Sequence, residues 1–445
     1  MQKARFLIIV AVVFLIHPVF AQQKRMVSVD GLIYDLKHPE PERRKDAALV
    51  LGQNKVRQAV PGLIELTGDA DDAIRLEAVR ALVRINDTRA LPTYIRLTQD
   101  PSKAIQEKSI EGIINRYVTD EGGFISGIRK FADIVNPWSD DYNPLVVEPY
   151  VSVSPEAVSA VAALLTSNDT GLRRDAAVAL GILRASSALP QIQEALARET
   201  KDSVTVELIR AIYKIGDREA ANSVVPFIKD PDKRVHDEAI FTVGRLRVAK
   251  AVPHLRELYE SGIEESKKIL GLVPITGKDD LAKKLYEAMS FIGDPSCKDL
   301  MLAGLADDRL YYRRYGAEGI GRIGDRNDVT LIATNYLREK ESEAKLAMSF
   351  ALYRLGRDEH LLELARGGDQ GLNYLLELEE QEIQKLYPYL ESEKDSVKAR
   401  LLEVIGLRGD QTALPVAERY MNHKNADVVS AANLAVRRLR ARVTS

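Results

Sequence analysis

Apolar residues recur along this chain at the spacing of a buried helix face. Ile74, Ala78, Leu82 and Ile85 follow one another at intervals of three or four residues, with charged and polar residues between them. This spacing predicts an amphipathic helix whose apolar side is buried. The pattern returns throughout the chain, and one large aliphatic residue marks each copy: Leu51, Leu82, Ile113, Leu180, Ile212, Val243, Met289, Ile320, Leu352, Ile405 and Val436.

The spacing of these aliphatic residues indicates a structural repeat. Leu51, Leu82 and Ile113 follow one another at a period of about 31 residues, and five further intervals agree with it to within one position. Ala-Leu-Pro or Ala-Val-Pro follows several copies, and proline suits the first turn of a second helix. A lone helix pair cannot bury its apolar face, so neighbouring units must stack. The predicted fold is all-α: an α-α superhelix, or solenoid, of helix pairs with this period.

A fixed order of residue types lies inside many of the units. A basic residue is followed by alanine three positions later and by the aliphatic residue seven positions later, as in RRDAAVALG at 173–181 and RKDAALVLG at 44–52. These segments resemble HEAT repeats, most closely the short HEAT-like subclass that is also seen in phycobilisome lyases. The resemblance covers about residues 30–118 and 156–440 and implies a curved array of repeats. Val83, Thr205 and Ala282 depart from the motif, which puts a regular Arg–Asp ladder in doubt at those units.

The repeat is interrupted between Ile113 and Leu180, where no second copy of the motif fits. We therefore divide the chain into N-terminal repeats at 22–118, an insertion at 119–155 and repeats that continue the same solenoid at 156–445. The insertion is rich in aromatic and acidic residues, and its prolines disfavour regular structure in its second part. Its candidate partner-binding residues are Trp138, Tyr142, Tyr150, Asp140 and Asp141.

Two interpretations of the insertion remain open. As a long loop on a rigid scaffold it presents aromatic side chains to a partner, since Trp and Tyr are enriched at the energetic centres of interfaces. Alternatively, the aromatic residues pack onto the solenoid and fill the gap left by a missing unit. Its acidic residues lack a recognised calcium-binding spacing, so we predict no metal site.

Two smaller irregularities follow. The interval from Val243 to Met289 exceeds one period, which places extra residues near 261–280. The interval from Leu352 to Ile405 is also too long and places extra helical residues near 367–391. We expect longer helices or an altered bend at both places.

Cations and aromatic residues alternate in the segment 309–315. Tyr312 and Arg314 are its candidates for binding a strand, a glycan or an acidic peptide. Helical position assigns some of these side chains to the core and places Arg313 at the basic position of the repeat. Two interpretations of this segment therefore remain open: its side chains bind a ligand, or they pack in the core.

Residues 1–21 have the layout of a secretory signal peptide. Lys3 and Arg5 precede an uncharged run at 6–20, and Ala21 ends the segment as a small residue at a cleavage point. A helix over that run spans about 22 Å at about 1.5 Å per residue, short of the roughly 30 Å core of a bilayer. We expect an exported protein, periplasmic or secreted after cleavage near Ala21, with no stable membrane span.

Composition excludes several kinds of chemistry. Cys297 is the single cysteine in 445 residues, which excludes a disulfide framework, a cysteine zinc site and an iron–sulfur cluster. Without residues 1–21, 61 Lys and Arg face 65 Asp and Glu, and a net charge of about −4 gives no general attraction to nucleic acid. G-x-S-x-G, H-E-x-x-H and P-loop motifs are absent. We expect no cofactor and no catalytic residue.

These observations favour an exported, non-enzymatic repeat scaffold that binds another protein. The alternative is an enzyme or ligand carrier, lyase-like or binding a small ligand, that uses the insertion at 119–155 against the concave groove. A cluster of Asp, His and Tyr side chains converging on one pocket would support this alternative.

Overall fold

Two layers of helices run through the computed structural model, which describes residues 28–118, 145–269 and 276–443. Within those ranges no strand occurs, and the predicted all-α superhelix is confirmed. In chain order the helices are α1 (Val29–Asp35), α2 (Pro41–Gln53), α3 (Val60–Leu66), α4 (Asp72–Ile85), α5 (Leu91–Leu97), α6 (Lys103–Tyr117), α7 (Pro155–Ala163), α8 (Thr170–Ile182), α9 (Leu189–Arg198), α10 (Asp202–Ile215), α11 (Lys233–Arg245), α12 (Val252–Ile269), α13 (Thr276–Ile292), α14 (Lys298–Leu305), α15 (Leu310–Ile323), α16 (Val329–Arg338), α17 (Ser342–Arg354), α18 (Leu361–Arg366), α19 (Gly368–Leu375), α20 (Tyr387–Ser392), α21 (Asp395–Arg408), α22 (Leu414–Glu418) and α23 (Ala426–Val443).

The helices that carry the repeated aliphatic residue form one layer, which we call the inner helices. They are α2, α4, α6, α8, α10, α11, α13, α15, α17, α21 and α23, together with the short α19. Shorter outer helices alternate with them, and a 3-10 helix at Ala220–Lys229 takes the outer position after α10. The marker residues Leu51, Leu82 and Leu180 are fully buried between units, as the periodicity predicts.

Glycine after the marker residue sets how closely the inner helices approach. A Cβ on Gly181 would lie 3.0 Å from the Cα of Ala211, and one on Gly321 would lie 2.7 Å from the Cα of Ala351. Backbones of adjacent inner helices are therefore in direct contact at these points. Because a curved array is most tightly spaced on its concave side, these helices form the concave face.

Gly-Asp pairs form several of the turns inside the units. Gly216, Gly293 and Gly324 adopt left-handed backbone with φ between 66° and 83°, which favours glycine. The following aspartate accepts a backbone N–H, as Asp325 does from Asn327 at 3.0 Å. Gly409 differs, since its φ is −70°, and it ends the preceding helix in an extended conformation.

The basic residue of the repeat has a defined structural role. Arg173 donates to the carbonyls of Ser167 and Asn168 before its helix and to the carboxylate of Glu199 at 2.7 Å after the next helix. Among the described residues four arginines make this set of contacts, and we call each with its acid an edge clamp: Arg44–Asp69, Arg75–Asp100, Arg173–Glu199 and Arg313–Glu339. At Thr205 the position holds a buried hydroxyl instead, in line with the gap expected there.

The described end of the insertion lies inside one unit. Inner helix α6 packs beside α8, and α7 packs beside outer helix α5, so α6 and α7 belong to the same unit. The backbone N–H of Ser154 donates to the Tyr117 hydroxyl at 3.0 Å, which brings the two ends of the insertion together. Residues 119–144 lie outside the described residues.

Both smaller irregularities have structural counterparts. Outer helix α12 is 18 residues long, whereas α9 has 10 residues, so the first extra stretch includes a lengthened helix. In the second extra stretch, near residues 367–391, α19 has only 8 residues. A 3-10 helix at Glu380–Leu386 and α20 complete that shortened unit. The short inner helix leaves room for the residues after it to enter the concave face.

Candidate functional site

Charged side chains line the concave face as internal pairs. Arg210 donates to Glu207 and to Glu238, both at 2.7 Å, and thereby joins α10 to α11. Several acidic residues on the inner helices are buried: Glu77, Glu111, Asp175, Glu207, Glu238, Glu287 and Glu318. Buried carboxylates need such partners, because burial without them costs several kcal/mol. The face is therefore polar but internally compensated.

A second cluster, which we call the inner hub, crosses the face in the C-terminal half. Glu377, just after α19, accepts from Arg322 on α15 at 2.8 and 3.1 Å, and also from Arg247, which lies 130 residues earlier. Arg322 further pairs with Glu318 at 3.0 Å, and its guanidinium lies 4.2 Å from the ring centroid of Phe291. Burial alone would raise the pKa of Glu377, but Arg322 and Arg247 together lower it. The hub ties three non-adjacent parts of the array to one carboxylate.

A pocket of about 440 Å³ opens beside the hub, between α13, α15 and the start of α17. Its walls include Tyr311 and Tyr315, whose ring centroids are 4.7 Å apart, and its charged residues include Glu287 and Arg314. The remaining lining residues are Asp280, Lys283, Lys284, Leu310 and Glu343. This volume falls in the range of about 300–1,000 Å³ that small-molecule sites occupy.

Ion pairs hold the polar groups of the pocket in place. Glu287 accepts from the Tyr311 hydroxyl at 2.9 Å and from Arg245 at 3.3 Å. Burial raises the pKa of Glu287, and these two partners act in the opposite direction. The pKa of Tyr311 is also raised, first by burial and then by the charge of Glu287. Arg314 pairs with Glu318 at 3.1 Å and with Glu343 at 3.6 Å, so the pocket presents fixed charges of both signs.

The sequence-predicted binding residues do not meet at one place in the described structure. Arg314 lines the pocket, whereas Tyr312 is 3% exposed and packs edge-on against Tyr286 at 4.9 Å. Tyr150 lies half-buried in a turn of the insertion's described end. Trp138, Tyr142, Asp140 and Asp141 lie outside the described residues. A role of these residues in binding a partner stays a prediction.

Tyr311 and Tyr315 belong to the cation–aromatic segment 309–315 but were not among its candidate residues, and Glu287 was not predicted at all. A signal for them was present, because Tyr311, Arg314 and Tyr315 share one helix face at spacings of three and four. Glu287 and Glu318 are also separated by one repeat period, which places two acids at equivalent positions of adjacent inner helices.

Other chemistry finds little support in the described ranges. No group of three or more His, Cys, Asp or Glu side chains there is arranged to hold a metal ion. Burial raises the pKa of the Cys297 thiol to about 11, which opposes a nucleophilic role at neutral pH. Among the described helices none combines the length and apolar character needed to cross a membrane.

Family models match two parts of the array. A model of HEAT repeats matches residues 29–114, and a model of the PBS lyase HEAT-like repeat matches residues 172–198. The chain therefore contains HEAT repeats. Its HEAT repeats form a scaffold of stacked units with an extended concave surface, the architecture that such proteins use for protein interaction.

No curated protein matches this chain in sequence. An engineered protein of known structure is 19% identical, with a TM-score of 0.32, and the match covers 49% of this chain and 96% of that one. The Escherichia coli protein YibA is 18% identical, with a TM-score of 0.40, and the match covers 65% of this chain and 91% of that one.

Proposed function

We propose that this protein is an exported, non-enzymatic scaffold whose concave face binds another protein. The observation that carries the proposal is the continuous face of inner helices, on which charged side chains are already held by one another. Arg210, fixed between Glu207 and Glu238, is an example. Groups fixed before binding lose less conformational entropy when a partner docks, which favours recognition.

A protein suits this face better than a nucleic acid does. The mature chain carries a net charge of about −4, and acids and bases alternate along the concave face rather than forming a basic stripe. An extended protein segment with charges of both signs would meet complementary groups along several units. The insertion at 119–155, with Trp138, Tyr142 and Tyr150, is the second part of the proposed binding surface.

Chemical crosslinking in a native envelope fraction tests this proposal. The mature chain is compared with a Trp138→Ala/Tyr142→Ala/Tyr150→Ala variant, with Tyr34→Ala as the control because Tyr34 is 77% exposed on α1 at the far N-terminal end. We expect a partner whose crosslinks map to the inner helices and whose yield falls in the triple variant only. A partner crosslinked solely to the outer helices, or none at all, would contradict the proposal.

Export is tested separately from binding. We expect the purified native protein to begin at Gln22, because Ala21 precedes the proposed cleavage point. N-terminal sequencing of the protein from the envelope and culture medium provides the measurement. A mature protein that begins at Met1 and stays in the cytoplasm would contradict export without affecting the binding proposal.

The pocket beside the hub favours a second candidate function, that of a ligand carrier. It brings Tyr311, Tyr315, Glu287 and Arg314 together, although its described lining holds no histidine. Native mass spectrometry of the gently purified protein tests this candidate. A small molecule that co-purifies with the wild type and with Tyr34→Ala, but not with Tyr311→Leu, would support a carrier. A molecule retained by all three proteins would show that its binding site lies outside this pocket.

A further inference from the structure

The last described part of the insertion connects distant parts of the array. Residues 145–153, which we call the return segment, run without regular secondary structure into α7. The backbone N–H of Val147 donates to the carbonyl of Ile182 at 2.8 Å, and Val147 is 4% exposed. Ile182 ends α8, where carbonyls have no partner within the helix, so the return segment caps this helix end.

The next residue reaches the final helix of the array. Arg438 on α23 donates its Nε and Nη2 to the two carboxylate oxygens of Glu148, both at 2.8 Å. This two-pronged geometry is the strong form of an ion pair. Arg438 is 7% exposed, and 290 residues of sequence separate it from Glu148. The contact therefore joins the end of the array to its N-terminal third.

Such a contact is unexpected for stacked repeats, in which each unit contacts its neighbours only. Eight steps between inner helices separate α8 from α23, which at about 8–10 Å per step corresponds to roughly 70 Å along the concave face. The array has to curve back on itself for the pair to form. Small rotations shared among these interfaces would separate the two residues without disrupting any single unit.

The bonding of Arg438 indicates a contact that can release. Its Nη1 is buried and has no hydrogen-bond partner among the described residues, so the closed arrangement leaves one donor unsatisfied. The Glu148 side chain is 32% exposed and is accessible to water and salt ions. Arg322 in the hub, by comparison, is 2% exposed and pairs with two carboxylates.

We propose that Arg438 and Glu148 form a latch between the final helix and the return segment, and that the array opens and closes at this pair. Closure holds α23 against the return segment beside α8, and release widens the concave face between them. The hub, which lies between α8 and α23 along the array, keeps the C-terminal half in register while the latch opens.

Distance measurements between spin labels test the latch. Ser152→Cys on the return segment and Arg440→Cys on α23 place two labels on exposed residues, and the native thiol of Cys297 is buried. In the otherwise native chain we expect one short-distance population. Arg438→Met or Glu148→Gln should raise the ratio of long to short distances about tenfold, the effect of losing a strong charged contact.

Two further variants separate a latch from general damage. Arg419→Met breaks the exposed pair with Glu391 of α20 and should leave the distances unchanged. The exchanged pair Glu148→Arg/Arg438→Glu should restore the short distance. Unchanged distances in Arg438→Met and Glu148→Gln would overturn the proposal, and so would an exchanged pair that stays open while retaining native helix content.

Discussion

The edge clamps and the inner hub use the same arginine–carboxylate chemistry in opposite ways. A clamp such as Arg173–Glu199 joins consecutive helices and recurs with the repeat. The hub joins the turn after α11, helix α15 and the residues after α19 through Glu377, and it occurs once in the described structure. Clamps therefore determine how units stack, while the hub determines which distant units meet across the concave face.

The surroundings of the two acids differ as well. Glu199 also accepts backbone N–H groups from Thr200 and Lys201 at 2.9 and 3.0 Å, so it keeps donors if Arg173 is lost. Glu377 depends on Arg322 and Arg247, and Arg322 is itself enclosed by Phe291 and Phe350. Loss of one partner should consequently be tolerated at a clamp and costly at the hub.

Breaking the hub should have the largest effect on stability. Arg322→Met removes the main donor of Glu377, a partner of Glu318 and a donor to the carbonyl of Ser290. Removing one partner from a buried ionic network costs about 3–5 kcal/mol. Urea unfolding measures this loss. A cost below about 1 kcal/mol, the range of exposed ion pairs, would show that the hub is solvated.

Truncating a repeat marker should be almost as costly. Leu180→Ala removes a fully buried side chain between units and should cost about 2–5 kcal/mol. Leu337→Ala on outer helix α16 is the control, since Leu337 is 80% exposed and its loss should change stability by less than about 0.5 kcal/mol. Equal effects of the two substitutions, measured by urea unfolding, would contradict the repeat frame.

Adding one methyl group tests the close approach of the inner helices. Gly321→Ala places a Cβ 2.7 Å from the Cα of Ala351 and should destabilise by about 1–3 kcal/mol, because the backbone has to move. Gly262→Ala, where a Cβ meets no described atom within 4 Å, should instead stabilise by about 0.5–1 kcal/mol. Thermal unfolding of both variants gives the comparison, and the same sign for both would refute the packing argument.

Breaking a clamp should have the smallest effect. Arg173→Met leaves Glu199 with its two backbone donors, so we expect a loss of about 0.5–1.5 kcal/mol. Unfolding in urea at the same pH and salt concentration as for Arg322→Met makes the two values comparable. If Arg173→Met lowered the free energy of unfolding as much as Arg322→Met does, the distinction between clamp and hub would be wrong.

The sequence predicts the structural features that recur in each unit, but it does not predict the contacts that occur once in the described structure. The helix pairs, the buried marker residues and the basic position of Arg173 follow from periodic residues, because equivalent positions meet equivalent neighbours in each unit. The contacts of Glu377 and Glu148 do not follow from periodic residues. Each contact joins residues far apart in the chain, and neither glutamate lies in a repeat motif. The pocket was predictable in part, because Arg314 was identified whereas Glu287 lay in another unit.

The most direct test is a pair of double-mutant cycles. One cycle combines Arg322→Met with Glu377→Met, and the other combines Arg173→Met with Glu199→Met, each measured by urea unfolding. We expect a coupling energy of about 2–3 kcal/mol in the hub and below about 1 kcal/mol in the clamp. Equal coupling energies, or a larger value for the clamp, would contradict the claim that contacts occurring once, rather than the repeated ones, hold the distant units together.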